Sequence, residues 1–394
     1  VIVLTLNSGS SSLKFGLYRA GASAGEPEPL MSGEAEAGKL AATGAGRAAL
    51  PEVALAGEVV DAAVGAVAKL IADARLPPPQ AVGHRIVHGG PNLLQHCMID
   101  ARVTRELETA RAFSPLHAPA ALALIGKAQA AFPGLPQAAC FDTVFHAGLP
   151  DVARTLPIAR ELTADGLHRY GFHGLSCESI VRQLGDALPT RLVIAHLGSG
   201  ASVTAVQGGR SIDTSMGLTP SGGVIMGTRS GDLDPGVLIY LMRERGYDAA
   251  RLEALIDHRS GLDGISGLSG DMRALHAAAP TNPDARLATQ MFCLSVAKAI
   301  AGMVVALDGV DTLVFTGGIG EHDATAREAV GAHLRWMGVI VDENHNRSAQ
   351  ANIAGAGSRC RVLVLPSQED EQIARHTANL IDLDRASGAH AASR

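Results

Sequence analysis

Aromatic residues are scarce in this chain of 394 residues, with 1 Trp, 4 Tyr and 8 Phe. Lysine is scarcer still: Lys14, Lys39, Lys69, Lys127 and Lys298 are the only ones. Positive charge is not in excess. The net charge is −6, with no basic stripe and no long run of like charges, which argues against a nucleic-acid partner. Long apolar runs are missing as well. The longest, around residues 299–307, is too short to span a bilayer, so no membrane association is expected. The opening VIVLTLNSGSSS carries no basic n-region of a secretory signal. The cysteines (Cys97, Cys140, Cys177, Cys293 and Cys360) are odd in number and scattered, with no CxxC. Neither a disulfide framework nor a zinc site is expected, and a reducing, cytoplasmic setting fits. Also lacking are a GxxxxGK[ST] phosphate loop, a protein-kinase HRD and DFG pair, and a GxGxxG at a strand–helix junction.

What is present is core-forming sequence, 47% hydrophobic, with 45 Gly. The length predicts two domains. Residues 1–15 read as strand, Gly/Ser turn, strand. Residues 33–50 are Ala/Gly-rich and read as a surface excursion. Helices are predicted over 58–75, 101–112 and 118–132, and strands over the start of 81–90 and over 137–146. Near residue 150 the pattern restarts. With Gly9 placed on Gly200, LNSGSSSLKF matches LGSGASVTAV at an offset close to half the chain, the mark of a duplicated domain. A strand then enters GGIGEH (317–322), and a last strand leads through SQED (367–370) into a helix. The final dozen residues read as frayed.

Several segments carry chemistry. NSGSSSLK (7–14) sets backbone N–H groups and hydroxyls at one turn, as a phosphate cradle requires. Lys14 stands beside it to reach a phosphate, and Asn7 offers a hard oxygen suited to Mg²⁺. Alone, the segment also reads as an ordinary hairpin turn. GHRIVHGG (83–90) ends a strand on Arg85, whose guanidinium fits a planar anion. FDTVFH (141–146) and RYGFHGLS (169–176) place Asp142, His146 and His173 among four of the few aromatics, where a polar group needs a partner. DTSMGLTPSGGVIMGTRSGDLDPG (213–236), with Arg229 near its centre, is too rich in Gly and Pro for regular structure, and loops of this length tend to be functional. SGLDGISGLSGDMR (260–273) reads as a second such loop. In SQED, Glu369 and Asp370 follow a strand and are metal-ligand candidates. Gly/Ser turns, arginines, a lysine, a histidine and a late carboxylate together meet the needs of phosphoryl transfer.

In that order these motifs identify a resemblance. NSGSSSLKF, GHRIVHGG, FDTVFH, YGFHGLS, MGTRSGDLDPG and GGIGE resemble those of the acetokinase family, within the acetate and sugar kinase/heat-shock ATPase/actin superfamily, from Val1 to about Ile381. The resemblance implies an α/β, duplicated actin-like (ribonuclease H-like) fold of two lobes with a central nucleotide cleft. The first lobe is expected at 1–147 plus about 371–394, and the second, nucleotide-binding lobe at 148–370. It implies reversible, direct in-line transfer of the ATP γ-phosphate to acetate, giving acetyl phosphate and ADP. Mg²⁺, with Mn²⁺ as an alternative, and a homodimer are implied too.

Carried over residue by residue, Asn7 and Glu369 hold the metal, and Ser10, Ser12 and Lys14 form the first phosphate loop. Arg85 binds the carboxylate, while Val87, Leu116, Phe172 and Pro220 surround its methyl. Asp142, His173 and Arg229 are catalytic. The nucleotide contacts fall on His196, Leu197, Gly198, Ser199 and Gly200, on Asp271, Met272 and Arg273, and on Gly318, Ile319, Gly320, Glu321 and His322. The chain departs from the family pattern at Ser199 and His322, where Asn is usual, at PSQED for PTNEE, and at Ala118 for Asn. The first and second departures leave the nucleotide open between ATP and another triphosphate. Propionate or butyrate as acceptor, and a non-metabolic actin-like ATPase, stay open as alternatives.

Overall fold

The computed structural model describes residues 1–9, 12–21, 25–36, 38–55, 59–114 and 117–392. The chain forms two compact units. The first comprises Val1–Val144, Gly174–Ser179 and Gln368–Arg394, and the second Phe145–His173 and Ile180–Ser367.

The first unit is built on β1 (Ile2–Ser8), β2 (Ser12–Arg19), β3 (Glu28–Glu36), β4 (Lys39–Gly44), β5 (Val53–Ala54), β6 (Ala81–Ile86), β7 (Cys97–Met98) and β8 (Gln137–Phe141). They lie in the order β5-β4-β3-β2-β1-β6-β8-β7, with β1, β6 and β8 parallel. Val3 to Asn7 of β1 are buried without a break, the mark of a strand covered on both faces. One face packs Leu4, Leu6, Leu13 and Phe15 against Val64, Val67 and Leu124 of the helices Val59–Asp73 and Ala118–Ala131. The other packs Val3 and Tyr18 against Ala374 and Ala378 of the C-terminal helix, Glu369–Ala392. That helix lies so close that a Cβ at Gly83 would strike the side chains of Thr377 and Ile373, which explains a glycine inside β6.

Residues 33–50 are not a surface excursion. They supply the end of β3, from Gly33 to Glu36, and all of β4, with Ala35, Leu40 and Ala42 buried. Small residues weaken the alternation, and pairing of β3 with β2 and β4 supplies the order that side-chain pattern does not.

The second unit carries β9 (Arg191–Leu197), β10 (Ala201–Gln207), β11 (Arg210–Thr214), β12 (Thr312–Thr316) and β13 (Arg361–Val364), in the order β11-β10-β9-β12-β13. β9–β10 is an antiparallel hairpin, and β12 and β13 add in parallel. The core of the first sheet, β3-β2-β1-β6-β8, repeats that order and sense. The duplication read from two matched turns is therefore a duplication of topology, as in the actin-like fold.

The helix Pro283–Leu307 covers this sheet with Ala285, Phe292, Val296, Ile300, Met303 and Leu307, spaced to form one buried stripe. By length and composition it is the one described helix long and apolar enough to cross a membrane. Polar residues such as Lys298 interrupt its apolar run, and its buried stripe is that of a core helix. Two expected loops are partly helical. Residues 260–273 contain Gly261–Ser266 and open Met272–Ala278, and 317–322 form the helix Gly317–His322. The C-terminal helix continues to Ala392, through residues expected to fray.

Candidate active site

Parallel strands deliver their carboxyl ends to one edge of a sheet, and in α/β folds ligands gather there. In the first unit those ends carry Asn7 on β1, Arg85 on β6 and Asp142 immediately after β8. The ladder continues one step past β8, where the Asp142 N–H donates to Ile86 O at 3.0 Å. Arg85 donates from Nε at 2.9 Å and from Nη2 at 2.6 Å, both to Oδ2 of Asp142. Its Nη1 donates to Oδ1 of Asn7 at 3.2 Å. The Asn7 amide Nδ2 in turn donates to Glu369 Oε2 at 3.0 Å and to Asp370 Oδ1 at 3.2 Å. Glu369 and Asp370 are not in a loop. They open the C-terminal helix, where carboxylates complement the dipole.

Electrostatically this edge is overloaded with negative charge. Asp142 is fully buried, and its Oδ1 has no hydrogen-bond partner. Burial pushes its carboxyl up, helped by the Glu369 charge and opposed by Arg85. Burial, with Glu369 and Glu371 nearby, lifts Asp370 to about 7, while Asn7 and Lys14 work the other way. The Arg85 guanidinium is held above its usual range by Asp142 and Glu369, although burial alone would lower it. The Glu369 and Asp370 carboxylates, with the orphaned Oδ1 of Asp142 at the same strand ends, are hard oxygen donors of the kind Mg²⁺ takes, whereas the Asn7 oxygen is engaged by Arg85. Lys14 faces Asn7 across the β1–β2 ladder and is exposed. Ser12 donates its hydroxyl to Glu34 Oε1 at 2.7 Å. Ser10 and Leu116 lie outside the described residues. Val87 lines a small cleft with Ile86, His88, Leu107, Ser114 and His117, with room for one water-sized group.

In the second unit the chemistry gathers at the β9–β10 turn, Leu197–Gly200. The Gly198 N–H donates to Gly200 O at 3.0 Å, and the Gly227 N–H to Ser199 O at 3.2 Å, which brings the loop of Arg229 to the turn. A Cβ on Gly200 would lie 3.1 Å from His173 Nε2 and 3.4 Å from Arg229 Nη1. His173 holds a left-handed φ of 55°, uncommon for a side-chain-bearing residue, as do Arg75, Asp308 and Ala349. Its Nδ1 is 2.9 Å from Ser202 Oγ, and its ring stacks on His196 at 4.2 Å between centroids. Arg229 Nη1 donates to the carbonyl of buried Pro220 at 3.0 Å. Phe172 is buried, and its carbonyl accepts from His146 Nε2 at 2.9 Å. Burial lowers His146 to about 4, so its ring is neutral with the proton on Nε2. That makes His146 a structural pin for Phe172.

The remaining predicted residues fall on two helix starts. Asp271 caps the helix Met272–Ala278 and chelates the exposed Arg273, with Nη2 to Oδ2 at 2.7 Å, and Met272 is buried between them. Gly318, Ile319, Gly320 and His322 belong to the short helix after β12. Glu321, expected at the nucleotide, uses Oε1 to accept the N–H groups of Gly317 and Ser367, both at 2.9 Å. The sequence reading noted Asp370 in SQED but gave the metal to Glu369 alone. The bond from Asn7 to both carboxylates puts Asp370 in the same group.

The motifs and the duplicated sheet agree with comparisons to known proteins. The acetokinase family profile matches residues 2–375. The chain is 40% identical to an acetate kinase of Nitrobacter hamburgensis, covering 98% of this chain and 97% of that one. It is 43% identical to an acetate kinase of Deinococcus deserti, covering 97% and 98%. Among solved structures, a propionate kinase from Francisella tularensis superposes with a TM-score of 0.89 at 34% identity, covering 96% of this chain and 99% of that one. The acetate kinase of Porphyromonas gingivalis gives a TM-score of 0.83, also at 34% identity, covering 96% and 99%. A profile matched over nearly the whole length, and relatives this similar end to end, place the chain in the acetokinase family.

Proposed function

We propose that this protein is an acetate kinase, transferring the γ-phosphoryl group of ATP reversibly to acetate to give acetyl phosphate and ADP. The observation that carries the reading is Arg85, anchored on Asp142 and Asn7 through three of its five N–H donors, which leaves two for a planar carboxylate. Acetate is ionised at neutral pH, since carboxyl pKa values lie near 4, so it attacks without a general base. Asp142 accordingly orients the guanidinium and does not take a proton. His173 and Arg229 carry the charge that spreads over the phosphoryl oxygens in the transition state. Asn7 and Glu369, with Asp370 beside them, hold Mg²⁺, which when bound offsets phosphate charge. Nucleotide contacts are assigned to His196–Gly200, Asp271–Arg273 and Gly318–His322, and the methyl pocket to Val87, Leu116, Phe172 and Pro220.

Similarity to the Francisella propionate kinase makes propionate a second acceptor, since one methylene is worth only about 1–3 kcal/mol of discrimination. A homodimer is assigned to the helix Pro235–Arg245. That helix buries none of its residues although it carries Val237, Ile239, Tyr240 and Met242, apolar surface suited to a second copy. Five free cysteines accord with a reducing cytoplasm. The test is hydroxylamine trapping of acyl phosphate with ATP, Mg²⁺ and a panel of short carboxylates. Acetate is expected to give the highest kcat/KM. ATP hydrolysis indifferent to every carboxylate would refute the reading in favour of an actin-like ATPase.

A further inference from the structure

In the first unit three side chains from distant parts of the sequence meet. His96 precedes β7, Glu178 lies on the helix Gly174–Leu184, and His376 lies on the C-terminal helix. His376 Nε2 is 2.8 Å from Glu178 Oε2, and His96 Nε2 is 3.9 Å from the same oxygen. The two rings lie 3.9 Å apart between centroids. One ligand atom from each residue falls within 4.8 Å of the others, a spacing open to a transition metal. The hydrogen bonding denies that use. The Phe141 N–H donates to His96 Nδ1 at 3.0 Å, so Nδ1 carries the lone pair and the ring proton sits on Nε2, the atom a metal would need. Moving the proton would set two N–H groups face to face.

We propose that Glu178 is a positioning residue, the hub of a clamp whose arms, His96 and His376, fix the strand end bearing Asp142 against the helix bearing Glu369. The proposal rests on the acetate kinase reading. His96 grips the amide immediately before Asp142, and its ring lies parallel to that of Phe141 at 6.5 Å. On the other side the Asp142 carbonyl accepts the Gly174 N–H at 2.9 Å, so the helix carrying Glu178 starts on Asp142 itself. His376 follows Glu369 by about two turns of the same helix, roughly 10 Å along its axis. Glu178 is held to about 2: burial would raise it, but the hydrogen bond to His376 and the nearby His96 prevail. A charged hub makes the His376 hydrogen bond stronger and more directional than a neutral one and attracts the Nε2–H of His96, 3.9 Å away. Around it, Cys140, Leu175 and Ile373 form a small apolar cluster that could not fix a register by itself.

The experiment compares acyl phosphate formation and melting temperature in wild type, His96→Ala, His96→Asn, His96→Gln and Glu178→Gln. Asn places an acceptor where Nδ1 stands and keeps the Phe141 bond, while Gln mimics only the Nε2 end. The clamp predicts a loss of about 10-fold in kcat for His96→Ala and Glu178→Gln, with KM for ATP unchanged. It predicts rescue by Asn but not by Gln. Should His96→Ala fail to fold, the order Asn above Gln decides. Equal kcat in the Asn and Gln variants, or wild-type kcat in all of them, overturns the clamp. So does a Zn²⁺-induced rise in melting temperature that His376→Ala abolishes. A wild type inactive toward every carboxylate overturns the functional reading and the clamp with it, whereas an active wild type with unaffected variants overturns the clamp alone.

Discussion

Arg327 offers the sharpest test of how the second unit is held together. It lies on the helix Ala324–Leu334 and is only 2% exposed. Burial depresses its pKa, with Asp323 opposing, yet all its hydrogen bonds go to neutral acceptors. Nη1 donates to the carbonyls of Gly320 and Glu321, both at 2.9 Å. Nε donates to Asn346 Oδ1 at 2.7 Å, and Nη2 to Asn346 O at 3.0 Å. The first two carbonyls close the short helix Gly317–His322, where the last turn has no intrahelical donors. Arg327→Met keeps volume and apolar packing but strands four acceptors. Each bond to a charged donor is worth about 1.5–3 kcal/mol, against a desolvation cost of several kcal/mol for the buried cation. The expected net loss is about 3–5 kcal/mol, a fall of roughly 10 °C in melting temperature for a unit of this size. Arg327→Lys should recover less than half, because one ammonium cannot span both helices. Calorimetry reads the stability, and KM for ATP should rise severalfold with kcat retained, since Gly318–His322 is assigned to the nucleotide. A Met variant within about 1 kcal/mol of wild type would show that the desolvation cost cancels the bonds and would refute the reasoning.

Other consequences are more compact. Arg229→Ala should lower kcat by about 10²–10³ while the melting temperature stays put; near-normal turnover would remove Arg229 from the phosphoryl-binding role. Gly83→Ala should cost about 1–3 kcal/mol, because the added methyl meets Thr377 and Ile373 of the C-terminal helix, and an unchanged urea midpoint would mean that the helix yields. The bond to Asp323 raises His276 against the effect of burial. A raised histidine contributes its full stabilisation below its unfolded pKa of about 6.5 and loses it as pH climbs through the folded value. Wild type and His276→Gln should therefore differ by up to about 1 kcal/mol at mildly acid pH and converge on the alkaline side, and a pH-independent gap would contradict the assignment.

Local pattern carried a good part of this molecule. The helices at 59–73 and 118–131 follow their apolar spacing, and the two Gly/Ser hairpins announced the duplication. What escaped was order supplied by distant partners. β3 is a strand because β2 and β4 pair with it, and β4 because β3 does, not because Ala and Gly favour strands. Residues 261–266 coil into a helix through glycines at positive φ on either side, Gly261 and Gly267, a signal that looks identical to a loop in one dimension. Arg85, Asp142 and Asn7 were each readable from their motifs. That Asp370 joins them through the Asn7 amide was not, because the contact spans 363 residues of sequence. The cluster of His96, Glu178 and His376 left no local trace at all.

The duplicated topology also bears on the roles proposed for the two units. Each sheet offers a hairpin turn and neighbouring parallel strand ends, the same positions twice. In the first unit these positions carry Asn7, Arg85 and Asp142, and the start of the C-terminal helix adds the carboxylates of Glu369 and Asp370. In the second they became a turn of small residues beside His173, His196 and Arg229. Phosphoryl transfer needs positive charge and donors on the equatorial oxygens, the role proposed for the second set, and an ATPase would need that much too. Water, however, is no planar anion. An ATPase has no use for an arginine fixed by a buried carboxylate with two N–H donors left over, nor for the energetic cost of burying that carboxylate with one oxygen unpaired. The first unit bears that cost, and the proposed binding of an ionised carboxylate at Arg85 would account for it.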